Sequence, residues 1–217
     1  MDHIFVYADS LTWGIVPNTR QRLAFEERWP MILEEKLNAD GRRARVTEDC
    51  LNGRRTVWED PFKPGRNGLI GLAQKMEIHS PLALVILMLG TNDFQFCHTH
   101  NDAWSAAQGV ATLVNEIRRA PIEPGMPVPR ILVICPPVPQ PAKGAIAPKF
   151  QGSDLRCGGL AEAFATMAAQ MECAFFDANT VIRTSTEDGV HLDAASHRTL
   201  GAAIEPVVRP LLDAARA

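Results

Sequence analysis

Tyr7-Ala8-Asp9-Ser10-Leu11-Thr12-Trp13-Gly14 follows directly on the apolar segment Ile4-Phe5-Val6-Tyr7. That segment is rich in β-branched and aromatic residues and reads as a buried first strand. A small residue, an acid and a serine then leave the strand, and a glycine follows four residues after the serine. A serine just past the carboxyl end of a strand in an α/β sheet stands at the edge where such sheets bind ligands. Taken alone, a turn serine is an ordinary turn former. It becomes a candidate nucleophile only if the chain also supplies a base, a group to orient that base, and donors for an oxyanion.

The remaining elements extend this reading along the chain. Arg28 to Leu37 has helical spacing with Pro30 in its first turn, and Ala44 to Glu48 reads as a second strand. Leu69 to Ile78 reads as a helix. Ala83-Leu84-Val85-Ile86-Leu87-Met88-Leu89 is continuously apolar, as in strands covered on both faces. Asp102 to Arg119 carries an apolar stripe at helical spacing. Ile131 to Cys135 reads as another buried strand. Residues 138–152 form a long Pro/Gly loop, and loops of that length in compact domains tend to be functional, so it is expected to wall a pocket. Leu155 to Met171 reads as one helix, Ala174 to Phe176 as the last strand, and Ala194 to Arg216 as a closing helix.

Strands alternating with helices give a five-stranded parallel sheet between helical layers, an α/β/α sandwich. In a parallel sheet the carboxyl ends of the strands share one edge. Ser10 follows the first strand, Asn52-Gly53 the second, Gly90-Thr91-Asn92-Asp93 the third, and Asp188-Gly189-Val190-His191 the last. Four motifs distant in sequence are therefore expected to meet in one crevice.

The bulk properties bound the rest. With 217 residues, 46% of them hydrophobic, the chain suits a single domain over 1–217. A net charge of −3 offers no global basic field for nucleic acid. Arg42, Arg43, Arg45, Arg54 and Arg55 form a local basic cluster, read here as solvated loop and strand-edge charge. The five cysteines are odd in number and widely spread, which suits a reducing compartment better than a disulfide framework. The chain runs straight into its first strand without a basic and apolar leader, and Leu82 to Leu89 is too short to span a bilayer. A cytoplasmic protein with no membrane partner is expected.

The motifs resemble, in order and over the whole length, the sequence blocks of the SGNH (GDSL-type) hydrolases. Ala8-Asp9-Ser10-Leu11 is similar to the first block, Leu51-Asn52-Gly53-Arg54 to the second, Gly90-Thr91-Asn92-Asp93 to the third and Asp188-Gly189-Val190-His191 to the fifth. Ser10-Leu11-Thr12-Trp13-Gly14 and Met88-Leu89-Gly90-Thr91-Asn92-Asp93 resemble most the arylesterase/acyltransferase branch. The resemblance implies a flavodoxin-like three-layer fold, Ser10 as nucleophile, Asp188 and His191 completing a triad, and Gly53 and Asn92 as oxyanion donors. It also implies a small-molecule substrate, a short-chain or aryl ester, acyl transfer to alcohols from a dry pocket, no cofactor, and assembly into homo-oligomers. One position departs from the pattern: the first block begins with Gly, and here it is Ala8. A positive φ at Ala8 would strain the turn by roughly 1–2 kcal/mol, whereas a negative φ would leave a methyl group to be packed.

The residues themselves support these roles. Of six histidines, His191 is the expected base because Asp188 lies three residues before it, close enough for the carboxylate to hold the imidazole. His3 falls at the opposite sheet edge, His79 at a helix end, and His197 on the closing helix surface. Cys97, His98 and His100 lack a fourth ligand at any usual spacing, so no metal is expected. Asp9 adjoins Ser10 and points away from it, so Asp9 and Asp93 are expected to brace loops. The backbone N–H groups of Ser10 and Gly53 and the Asn92 amide are the oxyanion donors. Leu11, Trp13, Phe94, Phe150 and Val190 are the candidate pocket walls. No basic side chain is evidently placed for an anionic substrate, which favours neutral esters. A carbohydrate or lysophospholipid deacylase of the same fold, or a non-catalytic small-ligand-binding module, are the alternatives; the absence of a Gly-rich phosphate loop counts against the last.

Overall fold

A computed structural model describes residues 1–214 of the chain. Five strands, β1 (Asp2–Ala8), β2 (Ala44–Cys50), β3 (Leu84–Met88), β4 (Arg130–Cys135) and β5 (Ala174–Asp177), form one parallel sheet in the order β2-β1-β3-β4-β5. The chain moves outward from β1 to β2 and then returns across β1 to β3. The reversal puts a topological switch between β1 and β3, where open α/β sheets form their ligand crevice.

Successive strand residues point to opposite faces, and both faces are covered. Phe5, Tyr7, Val85, Leu87, Ile131 and Val133 pack with α3 (Leu72–His79), α4 (Ala103–Arg119) and α6 (Leu160–Gln170). Ile4, Val6, Ala8, Leu84, Ile86, Met88, Leu132 and Ile134 pack with α2 (Trp29–Asn38) and α7 (Ala194–Ala214). Two-sided burial is why β3 reads as an uninterrupted apolar run rather than an alternating one. Among the described residues no helix is long and apolar enough to cross a membrane.

Two expectations about the elements change. Leu155 to Met171 is not one helix: a short turn, Ser153–Arg156, is separated from α6 by Cys157-Gly158-Gly159. Gly159 takes a left-handed conformation with φ +76° and starts α6 afresh, a conformation glycine reaches without a Cβ penalty. The 138–152 loop carries a 3₁₀ turn over Gly144–Phe150. It is tied to the Asp188 loop by Gln140 N–H donating to the Gly189 carbonyl and Lys143 N–H donating to the Asp188 carbonyl. The expected helix to Arg216 is described as far as Ala214; Arg216 lies outside the described residues.

His197 is not at the surface. It is fully buried, because its face of α7 is the one packed on α2, and its Nδ1 accepts the Trp29 backbone N–H at 3.1 Å. Burial pushes its pKa down to about 4, so it is a neutral acceptor capping the start of α2.

Candidate active site

The carboxyl ends of β1, β2 and β3 and the loop before α7 meet as the parallel sheet requires. Ser10 opens a four-residue helical turn, Ser10–Trp13 (α1), immediately after β1. Asp9 caps that turn, its carboxylate accepting the Leu11 N–H at 2.9 Å, and Gly14 closes it with φ +85°. Ala8 is the last residue of β1, is fully buried, and is not among the residues with positive φ. Its methyl group packs in the α2/α7 core, so alanine at this position carries no turn strain.

Ser10 Oγ lies 3.2 Å from His191 Nε2, and His191 Nδ1 lies 2.7 Å from Asp188 Oδ2. All three residues are buried. Asp188 is held from several sides: Oδ1 accepts the N–H groups of Val190 and His191, both at 2.9 Å, and Oδ2 also accepts the Asn18 N–H at 3.2 Å. Burial alone would raise its pKa. The hydrogen bonds from the His191 ring and from the His191 and Val190 backbones outweigh that and hold it well below the usual carboxylate range. An ionised carboxylate on Nδ1 keeps the Nδ1–H tautomer, which leaves Nε2 facing Ser10 with a lone pair.

Asn18 was not visible as a site residue. Among the described residues it is one of two non-glycine residues with positive φ, at 59°, a conformation asparagine tolerates better than most. That backbone turns its N–H onto Asp188. The only sequence signal is Pro17-Asn18, a common turn pair.

The backbone N–H groups of Ser10 and Gly53 find no acceptor within the described residues. Gly53 has φ +83°, and a Cβ there would meet nothing nearer than 3.9 Å. Its requirement for glycine is therefore conformational. Asn92 lines the same cleft, but its amide is engaged: Nδ2 donates to Asp9 Oδ2 at 2.8 Å and to the Arg54 carbonyl at 3.1 Å, while Oδ1 accepts from Gln95 Nε2 at 2.6 Å. An oxyanion at this position must share or replace one of the Nδ2 bonds. Burial raises the Asp9 pKa to about 6, opposed by the bonds from Leu11 and Asn92.

Behind these loops lies a buried ionic layer. Arg54 and Arg55, read from sequence as solvated, are 4% and 0% exposed. Arg54 donates to the Ala8 carbonyl at 2.8 Å and to Asp49, and stacks over the Tyr7 ring at 3.8 Å. Arg55 donates to Gln95 at 2.5 Å and pairs with Asp60 at 3.4 Å. Carboxylate and carbonyl partners offset the burial of both guanidinium groups. Asp93 accepts from the Thr56 N–H at 2.9 Å and from the Thr56 hydroxyl. Thr56 in turn lies against Gly109 of α4, where a Cβ would come within 2.0 Å of its hydroxyl oxygen. Cys97 meets Arg55 and His98 meets the Glu59 carbonyl, and among the described residues no metal-binding group of acids, histidines and cysteines occurs.

Burial raises the Asp93 pKa to about 7 against its bonds with Thr56. The folded state thus holds this proton more tightly than the unfolded chain, whose aspartates titrate near 3.8. The stability contributed is full below that value and is lost as pH rises through the folded pKa, by up to about 4 kcal/mol. Asp93→Asn, similar in size and uncharged, is expected to shrink the loss of Tm between pH about 5 and about 8. Equal losses in the two proteins would assign the effect to another group.

The cleft above Ser10 is about 280 Å³, at the small end for ligand sites. Its apolar lining is Ile15, Ala145, Ile146 and Phe150. Of the five expected walls, Phe150 is among these residues. The other four lie elsewhere, so their placement is corrected. Leu11 points into the α2/α7 core and Phe94 into the core on the other face of the sheet. Val190 is buried at 1% exposure, and Trp13 is half-buried beneath the Arg22 guanidinium, which lies 4.6 Å from its ring centroid. Arg20, Lys63 and Lys149 also line the cleft, which overturns the expectation that no basic side chain is placed there.

Comparison with known proteins shows the family. Residues 9–199 match the GDSL-like Lipase/Acylhydrolase family. A carbohydrate acetylesterase family member from Sinorhizobium meliloti is 38% identical with a TM-score of 0.91, over 98% of this chain and 100% of that one. The aryl esterase of M. smegmatis is 35% identical with a TM-score of 0.90, over 97% and 100%. A search of curated protein sequences gave no match. The chain belongs to the GDSL-like lipase/acylhydrolase family.

Proposed function

We propose that the protein is a serine esterase that hydrolyses short-chain and aryl carboxylic esters through an acyl-Ser10 intermediate. One observation carries this reading: an unbroken hydrogen-bonded line from Asp188 through His191 to Ser10, opening beside two backbone N–H groups that lack acceptors among the described residues. In the first step Ser10 Oγ attacks the ester carbonyl while His191 Nε2 takes its proton. The resulting oxyanion is received by the N–H groups of Ser10 and Gly53, with Asn92 Nδ2 as third donor. Collapse breaks the ester C–O bond, and His191 returns the proton to the leaving alcohol. Water then attacks the acyl-serine, again through His191, and releases the carboxylic acid and Ser10. An alcohol in place of water gives acyl transfer.

The small cleft favours short acyl chains. The test is to quench a reaction with an activated acetyl ester within the first turnovers and weigh the protein. One acetyl group on the peptide containing Ser10 is expected, and its absence during steady turnover contradicts a covalent route. Gly53→Ala should keep the fold but displace the N–H from its position, lowering kcat by about a hundredfold with a small change in KM. An unchanged kcat would remove Gly53 from the oxyanion site.

The similarity to the Sinorhizobium meliloti carbohydrate acetylesterase family member supports a second reading, deacetylation of sugars. Comparing kcat/KM on acetylated sugars and on aryl acetates separates the two.

A further inference from the structure

The charge of the cleft does not follow that of the chain. The protein carries a net charge of −3, yet Arg20, Lys63 and Lys149 line the cleft against one carboxylate, Asp188. That carboxylate is already bound by the His191 ring and three backbone N–H groups. Arg66 adds a fourth cation. A Cβ built on Gly53 would lie 3.9 Å from Arg66 Nε and 3.9 Å from Lys149 Nζ, so two positive groups flank an oxyanion donor.

The nearby acid does not neutralise this set. Asp60 lies 3.4 Å from the fully buried Arg55 and 3.6 Å from Lys149, so one carboxylate faces two cations. Arg66 donates to the carbonyls of Asn52 and Pro64, which carry no charge. The side chains of Arg20 and Lys63 make no hydrogen bond or ion pair with the described residues. Burial and the repulsion of Arg66, Lys149 and Arg20 push the Lys63 pKa down. A bound anion would relieve that repulsion, and the partial burial of Lys63 and Lys149 strengthens their attraction relative to bulk water.

We propose that these cations form an anion subsite, and that the ester Ser10 acts on carries a carboxylate seated among Arg20, Lys63 and Lys149. This rests on Ser10 being the esterase nucleophile. The substrate class is then a small acidic ester rather than a neutral one. Ile15, Ile146 and Phe150 cover its carbon skeleton.

Two matched pairs test the subsite. Para-nitrophenyl hemisuccinate against its methyl ester places the charge on the acyl side. Meta-acetoxybenzoate against its methyl ester places it on the alcohol side. At low ionic strength the anionic member of one pair is expected to show about a tenfold higher kcat/KM than its neutral partner. That ratio should fall towards one in roughly 0.5 M salt. In Lys63→Gln and Lys149→Gln combined it should drop at least about fivefold. A ratio at or below one in both pairs, or one that neither salt nor substitution moves, overturns the subsite, while turnover of the neutral esters leaves the esterase reading standing. No turnover of any of the four overturns both.

Discussion

Ser10→Ala is expected to lower kcat on an activated acetyl ester by roughly 10⁵–10⁶-fold while leaving the fold intact. The hydroxyl is the only group of this residue that faces His191, at 3.2 Å. The rest of the residue contributes its backbone to β1's exit turn and, in the proposed mechanism, to the oxyanion donors, and alanine keeps both. Tm and the far-ultraviolet spectrum should therefore match the wild type. Wild-type turnover in a folded Ser10→Ala protein would mean that the hydrolysis runs through another group, and the 3.2 Å contact would be incidental.

Asp188→Asn is expected to cost about 10⁴-fold in kcat. The asparagine keeps the size of the side chain but presents an amide where Nδ1–H needs an acceptor. The imidazole then turns its proton towards Ser10 and loses its function as base. A second effect separates this variant from Ser10→Ala. The folded-state pKa of Asp188 is depressed, so the residue's contribution to stability is present above the ordinary aspartate range and is lost as pH falls through the folded value. Removing it should flatten the acid side of the Tm profile, opposite in sign to the flattening expected for Asp93→Asn at higher pH. A loss of only a few-fold in kcat would show that His191 does not need this carboxylate for its tautomer.

What was legible in the sequence was set by backbone order. β3 is covered on both faces, so its uninterrupted apolar run announced a parallel sheet, and a parallel sheet sends Ser10, Gly53 and Asn92 to one edge without any knowledge of side-chain packing. Asp188 and His191 are three apart on a tight loop, so their contact is local. The cleft lining was legible only in part: the 138–152 loop, expected to wall a pocket, supplies Ala145, Ile146, Lys149 and Phe150. Leu11 and Phe94 lie close in sequence to site residues, but Leu11 is second in the turn Ser10–Trp13 and Phe94 last in the turn Thr91–Phe94, and the rotation of each turn carries the side chain into the core. The actual walls, Ile15, Ala145 and Ile146, and the cations Arg20, Lys63 and Lys149, come from irregular segments with no periodicity to read. Arg54 and Arg55 looked solvated because their acceptors, the Ala8 carbonyl, Asp49, Asp60 and Gln95, lie on other segments, the first two at the ends of β1 and β2. His197 was misplaced because α7 carries polar residues on both sides of its contact with α2.

Ser10 faces a histidine 181 positions away in sequence, and the proposed chemistry requires that histidine to activate its hydroxyl. A fluorophosphonate, which reacts with activated serines as a carbonyl analogue, tests it most directly. Intact-mass and peptide measurements should find one adduct per chain, on Ser10, absent in Ser10→Ala and slowed by orders of magnitude in His191→Ala. A folded wild-type protein that stays unlabelled, or that carries the adduct on a different residue, would contradict it.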